Sequence, residues 1–169
     1  MKTILASAMA LALLATAPTA MAESATITVT GRILPGTCTL GDIALPLNEI
    51  RASDIELKEN EKKTLTLKFR DCIGVGSVDM TFNGTPHESD ADLYRNDAVN
   101  GTQGIGIALT EKGVSGSARW LKNGATRNVP IRSGAADFDM EAAYYRGASF
   151  DPIFASDVSA AITVNLVYN

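Results

Sequence analysis

The chain has 169 residues, 46% of them hydrophobic and 20% charged, with 15 Lys and Arg against 19 Asp and Glu. That composition excludes a disordered polyelectrolyte, whose few apolar residues could not offset the entropy of ordering. A net charge of −4 argues against the broad basic surface that nucleic acid or anionic lipid would favour.

Met1-Lys2-Thr3 supplies a charged start, Ile4 to Ala15 an apolar run, and Ala20-Met21-Ala22 the small-x-small form of a signal peptidase site. Residues 1–22 read as a signal peptide, so the mature chain is expected to begin at Glu23, with 147 residues and, without Lys2, a charge of −5. That length is one domain by the usual prior. No later apolar stretch approaches the roughly 20 residues that span a bilayer. The expected route is bacterial secretion to the periplasm or beyond.

From Ala25 the apolar positions recur every second residue. Ala25, Ile27, Val29, Gly31 and Ile33 fall on one side of an extended segment, and Thr26, Thr28, Thr30 and Arg32 on the other. Periodicity alone leaves open whether this strand pairs within its own fold or is given to another chain. Cys38 and Cys72 follow, the chain's two cysteines, and an even count in an exported chain predicts a disulfide. A metal site lacks ligands, because His87 is the sole histidine and no CxxC spacing exists.

Glu49 to Lys63 is dense in charge and reads as a loop or one short helical turn with a solvated face. Leu65, Leu67 and Phe69 then alternate, followed by Val78, Met80 and Phe82, which stop at the turn signal Asn83-Gly84-Thr85-Pro86. His87 sits among Pro86, Glu88, Ser89 and Asp90 and reads as a surface histidine in a polar loop. Glu88, Asp90, Asp92 and Asp97 lack the glycine and distal glutamate of a calcium loop and read as solvated. Asn83-Gly84-Thr85 and Asn100-Gly101-Thr102 match a glycosylation triplet but read as Asn-Gly turns.

Ile105, Ile107 and Leu109 form the next alternating set, Val129 and Ile131 a short one, and Phe138, Met140, Ala142 and Tyr144 another. Gly104-Ile105-Gly106 is too strand-like to cradle phosphate. Trp120, the single tryptophan, reads as packing rather than a sugar platform. Ile162, Val164, Leu166 and Tyr168 make the last set, with Asn169 after it. A long apolar strand at a sheet edge exposes unpaired backbone groups and invites another chain, and here that is the expected purpose. Short strands with glycine-rich turns predict an all-β antiparallel sandwich. No catalytic residue, cofactor or metal is read from the chain.

The mature sequence resembles a pilin subunit of the chaperone–usher family, the type 1 and P pilus group. The resemblance is carried by Ala25 to Ile33 with Cys38 seven residues after Gly31, by Asp71-Cys72, by Met80-Thr81-Phe82-Asn83-Gly84, by Gly104 to Leu109, and by the terminal strand with Tyr168 next to last. The fifteen residues from Glu23 to Thr37 are similar in length to those of minor, tip-fibrillum adaptors. The sequence departs from the pattern in placing Ser156 where the family usually has Gly, and Pro35-Gly36 before Cys38.

The resemblance implies an incomplete immunoglobulin-like β-sandwich of six strands, lacking its last strand and completed by a donor strand from another chain. It implies a pilin domain over 23–169, with 23–34 as the donor extension running into the first strand. Ala25, Ile27, Val29, Gly31 and Ile33 would be donated, and Ile162, Val164, Leu166 and Tyr168 would border the accepting groove. Three large aliphatics on the donated face correspond to roughly 5 to 9 kcal/mol before ordering costs. The implied partners are a periplasmic pilus chaperone, an outer-membrane usher and neighbouring pilin subunits in a cell-surface fimbrium. A carbohydrate-binding adhesin and a pilus base terminator remain as alternatives.

Overall fold

In a computed structural model the chain divides into two units, Met1–Arg32 and Ile33–Asn169. The structure describes Thr30, Arg32, Leu34 and residues 36–40, 45–147 and 150–169. Ala25, Ile27, Val29, Gly31 and Ile33 lie outside the described residues.

Among its described residues the second unit is all-β apart from single 3-10 turns at Ala52–Asp54 and Gly116–Arg119. Its strands are β1 (Glu59–Phe69), β2 (Ser77–Asn83), β3 (Pro86–His87), β4 (Asp90–Arg95), β5 (Gly106–Glu111), β6 (Thr126–Pro130), β7 (Ala136–Tyr145) and β8 (Thr163–Tyr168). One sheet has the order β1-β7-β5-β4-β3 and the other β6-β2-β8. All the strand pairs are antiparallel. Eight extended segments are described where the resemblance implies six, the short β3 and β4 among them.

The alternating sets turn their apolar sides inward. Val78, Met80 and Phe82 of β2 are each 0% exposed and meet Phe69 of β1, Leu109 of β5, and Phe138 and Met140 of β7 in one core. Burying such side chains stabilises by about 1.5 to 3 kcal/mol each. Cys38 and Cys72 form a disulfide across a separation of 34 residues. Beside it, Thr39 and Arg70 exchange backbone hydrogen bonds of 2.8 and 3.1 Å.

Three expectations for loops are corrected. The charged segment 49–63 has the expected short helical turn at Ala52–Asp54, but it is a loop only to Lys58, after which β1 begins and carries Glu59, Glu61, Lys62 and Lys63 at its bulged end. Asp90 and Asp92 belong to β4, where Leu93 and Tyr94 supply the buried positions. His87 is no surface histidine. Its ring is 6% exposed and stacked on Phe150 at 4.2 Å, with Nδ1 accepting from the Ser89 amide and Nε2 3.0 Å from the Gln103 carbonyl. An aromatic 63 residues away and a distant carbonyl bury it, and neither is visible from its polar neighbours.

Gly84 shows why a glycine ends β2. A Cβ there would lie 2.8 Å from the Tyr94 ring and 2.9 Å from the Ala161 carbonyl, so a side chain would push β4 and the approach to β8 apart. Trp120 packs edge-on to Tyr145 at 6.1 Å, with the Arg119 guanidinium 4.5 Å from its ring.

Candidate functional site

Among the described residues β8 has a single neighbour. Its six residues pair with β2 from Val78↔Tyr168 to Asn83↔Thr163, and its other edge carries no ladder. Asn169 fastens its end, donating its backbone amide to the Ser77 carbonyl at 2.9 Å and its Nδ2 to Asp79 Oδ2 at 2.8 Å. Unpaired strand edges are templates for a further strand.

Beneath that edge the two sheets do not close. A groove of about 500 Å³ opens between them. Its floor is Leu65 and Leu67 of β1, Ile107 and Leu109 of β5, and Met140 and Ala142 of β7, with Phe82 behind. Ile162 and Val164 line one wall, continued by Val158, Ser159 and Ala160. Leu45, Pro46 and Leu47 form the other. A second hollow of about 700 Å³ adjoins it past Tyr144 and Val158, between residues 49–55 and 153–158.

The residues expected at this edge are therefore together. Ile162 and Val164 face the groove, and Leu166 and Tyr168 continue the same side of β8 against the core. All four stay half-buried. Leu45, Pro46 and Leu47 were not anticipated, although Leu45 and Leu47 alternate; the proline between them argues against an ordinary strand. Ser156, the departure from the family pattern, accepts a hydrogen bond from the Thr102 amide at 2.9 Å and lines the second hollow.

Two tyrosines mark the closed and open sides. Tyr94 is buried and donates its hydroxyl to the Leu121 carbonyl at 2.7 Å, and desolvation pushes its pKa up to about 12. Tyr144, on the groove, is raised by partial burial and then by the negative charges of Glu61 and Glu49; its hydroxyl donates to the Asn48 carbonyl at 3.2 Å. Hydrogen-bonding side chains are thus turned to backbone at the rim, while the groove itself is aliphatic. It sets a backbone edge of β8, unpaired among the described residues, beside an aliphatic floor.

The family model for fimbrial protein matches residues 27–169. The chain belongs to the fimbrial protein family. The fimbrial subunit is 28% identical over 152 residues to the S-fimbrial adhesin protein SfaS of Escherichia coli O6:K15:H31 (strain 536 / UPEC), covering 88% of each chain. Its fold is similar to that of the P pilus rod subunit PapA, with TM-score 0.63 and 17% identity over 78% of this chain and 99% of that one. It is also similar to a subunit chain of a chaperone–usher pilus solved to explain rod uncoiling, with TM-score 0.64 and 18% identity over 90% of this chain and 100% of that one. The fimbrial subunit thus belongs to a structural family exported to form cell-surface pili, and its fold is an immunoglobulin-like sandwich lacking a strand.

Proposed function

We propose that this fimbrial subunit is a minor or adaptor subunit that joins an adhesive pilus by donor-strand exchange. The observation that carries the reading is the edge of β8, unpaired among the described residues, above an aliphatic groove of about 500 Å³. An incoming strand would pair with that edge and press alternate side chains between the sheets, completing a core that the described residues leave open. A periplasmic chaperone fills the groove first, and the next subunit's extension replaces it at the usher. In turn Ala25, Ile27, Val29, Gly31 and Ile33 enter the preceding subunit, Gly31 where the backbones approach most closely. The adaptor position rests on the short segment before Cys38. The signal peptide at 1–22 supplies the export step.

The test is to add synthetic peptides of the N-terminal extensions of neighbouring subunits, and of residues 24–34 of this chain, to the purified protein. A strand that binds the folded state alone raises its thermal midpoint. The expected result is marked stabilisation by one peptide, abolished when its central valine or isoleucine is replaced by Asp. No stabilisation by any peptide overturns the reading.

A second reading, a carbohydrate-binding adhesin, is favoured by the name of SfaS, an adhesin aligned over 88% of both chains. Specific glycan binding by the strand-completed subunit would support it.

A further inference from the structure

We propose that residues 45–50 are the wall of the groove that yields when a strand enters or leaves, and that Lys63, Tyr144 and Asn48 are the positioning residues that hold it. The proposal rests on the strand-accepting reading of the groove and names the element that regulates it.

The two walls are secured in different ways. The wall leading into β8 is pinned from a buried side chain. Asn96, 2% exposed, donates Nδ2 to the Asp157 carbonyl at 3.2 Å and accepts the Ser159 amide on Oδ1 at 3.0 Å. The Asp97 amide adds a bond of 2.8 Å to the Ser159 carbonyl, and Ser156 is tied to Thr102. Asn96 and Thr102 are themselves buried, where leaving a polar group unpaired costs most.

Residues 45–50 have no such support. Among the described residues they form no backbone–backbone hydrogen bond and belong to no strand. Side chains hold them instead. Lys63 Nζ donates to the Pro46 carbonyl at 2.6 Å and is 3.5 Å from Asn48 Oδ1. Asn48 Nδ2 donates to Glu61 Oε2 at 3.2 Å, and the Tyr144 hydroxyl reaches the Asn48 carbonyl.

A distortion in β1 presents these side chains. The register with β7 slips between Asn60 and Lys63, and Glu61 takes φ 53, a left-handed conformation that is uncommon for a residue with a side chain. Lys63 thereby takes the inward phase of Leu65, Leu67 and Phe69 at the end of the strand, where an ammonium would be out of place without the Pro46 carbonyl to receive it. The hold is solvent-accessible and made by flexible side chains, so it can break without unfolding either sheet.

Backbone order parameters measured by NMR on the full exported chain test this directly, in wild type, Lys63→Met, Tyr144→Phe, the double variant and Lys63→Arg. In the double variant the amides of Leu47 to Ile50 should fall below about 0.6, while those of Asp157 to Ser159 keep the ~0.85 of rigid backbone. Lys63→Arg, which retains a cationic donor, should restore the wild-type values. Unchanged order at 47–50 in the double variant, or equal loosening of 157–159, overturns the proposal. A stabilising strand peptide, once bound, should leave the double variant about tenfold faster than wild type, as loss of a charged-donor hydrogen bond predicts. If no peptide binds, the strand-accepting reading fails whatever the order parameters show; if one binds and leaves both proteins at the same rate, this proposal alone fails.

Discussion

Strands β2 and β8 lie side by side in the same sheet, carry the same alternation and pair residue for residue, yet they are buried differently. Val78, Met80 and Phe82 of β2 are sealed in the core, whereas their partners Tyr168, Leu166 and Val164 remain half-buried. The difference is the number of neighbours. Among the described residues β2 has β6 on one side and β8 on the other, while β8 has β2 alone. A period of two decides which side chains face inward; whether the inside is closed depends on the next strand along.

The largest expected effect falls on the closed side. Met80→Ala should destabilise the fold by roughly 2 to 5 kcal/mol, because Met80 is 0% exposed and lies away from the groove. Urea unfolding of the strand-completed protein measures it, and a loss under about 1 kcal/mol would mean that β2 is no more closed than β8.

Leu166→Ala sharpens the comparison, since its effect should depend on the groove being filled. In the chain alone the half-buried leucine should contribute about 1 kcal/mol, rising to roughly 2 to 3 kcal/mol once a strand covers it. Equal losses with and without the strand would show that the added strand does not cover this side of β8.

The two tyrosines separate the sides by pH. Tyr94 keeps its proton in the folded state to about pH 12, while in the unfolded chain it ionises near 10. Its contribution is therefore complete below about pH 10 and is lost as pH rises towards 12. Tyr94→Phe should flatten that alkaline slope in stability more than Tyr144→Phe, whose hydroxyl sits at the groove rim. A steeper loss of slope from Tyr144→Phe would reverse the assignment of closed and open sides.

The smallest effect is expected on the outer side of β8. Val167 is 59% exposed, and Val167→Thr should change stability by no more than about 0.5 kcal/mol, with or without a bound strand. A larger change would mean that the outer face of this sheet is itself covered.

How much of this could be read beforehand varies with the residue. The alternations at 64–69, 78–82, 138–144 and 162–168 mark strands directly, since each side chain's face follows from its neighbours in sequence. Asp90 to Arg95 hid a strand because its charged residues point outward and just Leu93 and Tyr94, adjacent rather than alternating, are buried. His87 hid its burial because its stacking partner Phe150 arrives from the far side of the chain. The strand at Ile162 to Tyr168 was legible from its alternation, but the groove wall at Leu45 to Leu47 was not, because a proline interrupts the pattern and side chains from β1 and β7 hold it in place.

The amino-acid order by itself determined an all-β chain, the cysteine pair and the inward faces of the long strands, because period and composition act over a few neighbouring residues. Tertiary structure alone decided which strand stands at the edge, which wall of the groove is pinned by Asn96 and which is held by Lys63, and that the only histidine is buried. Those outcomes depend on contacts between residues far apart in the chain, and no local pattern encodes how many neighbours a strand will have.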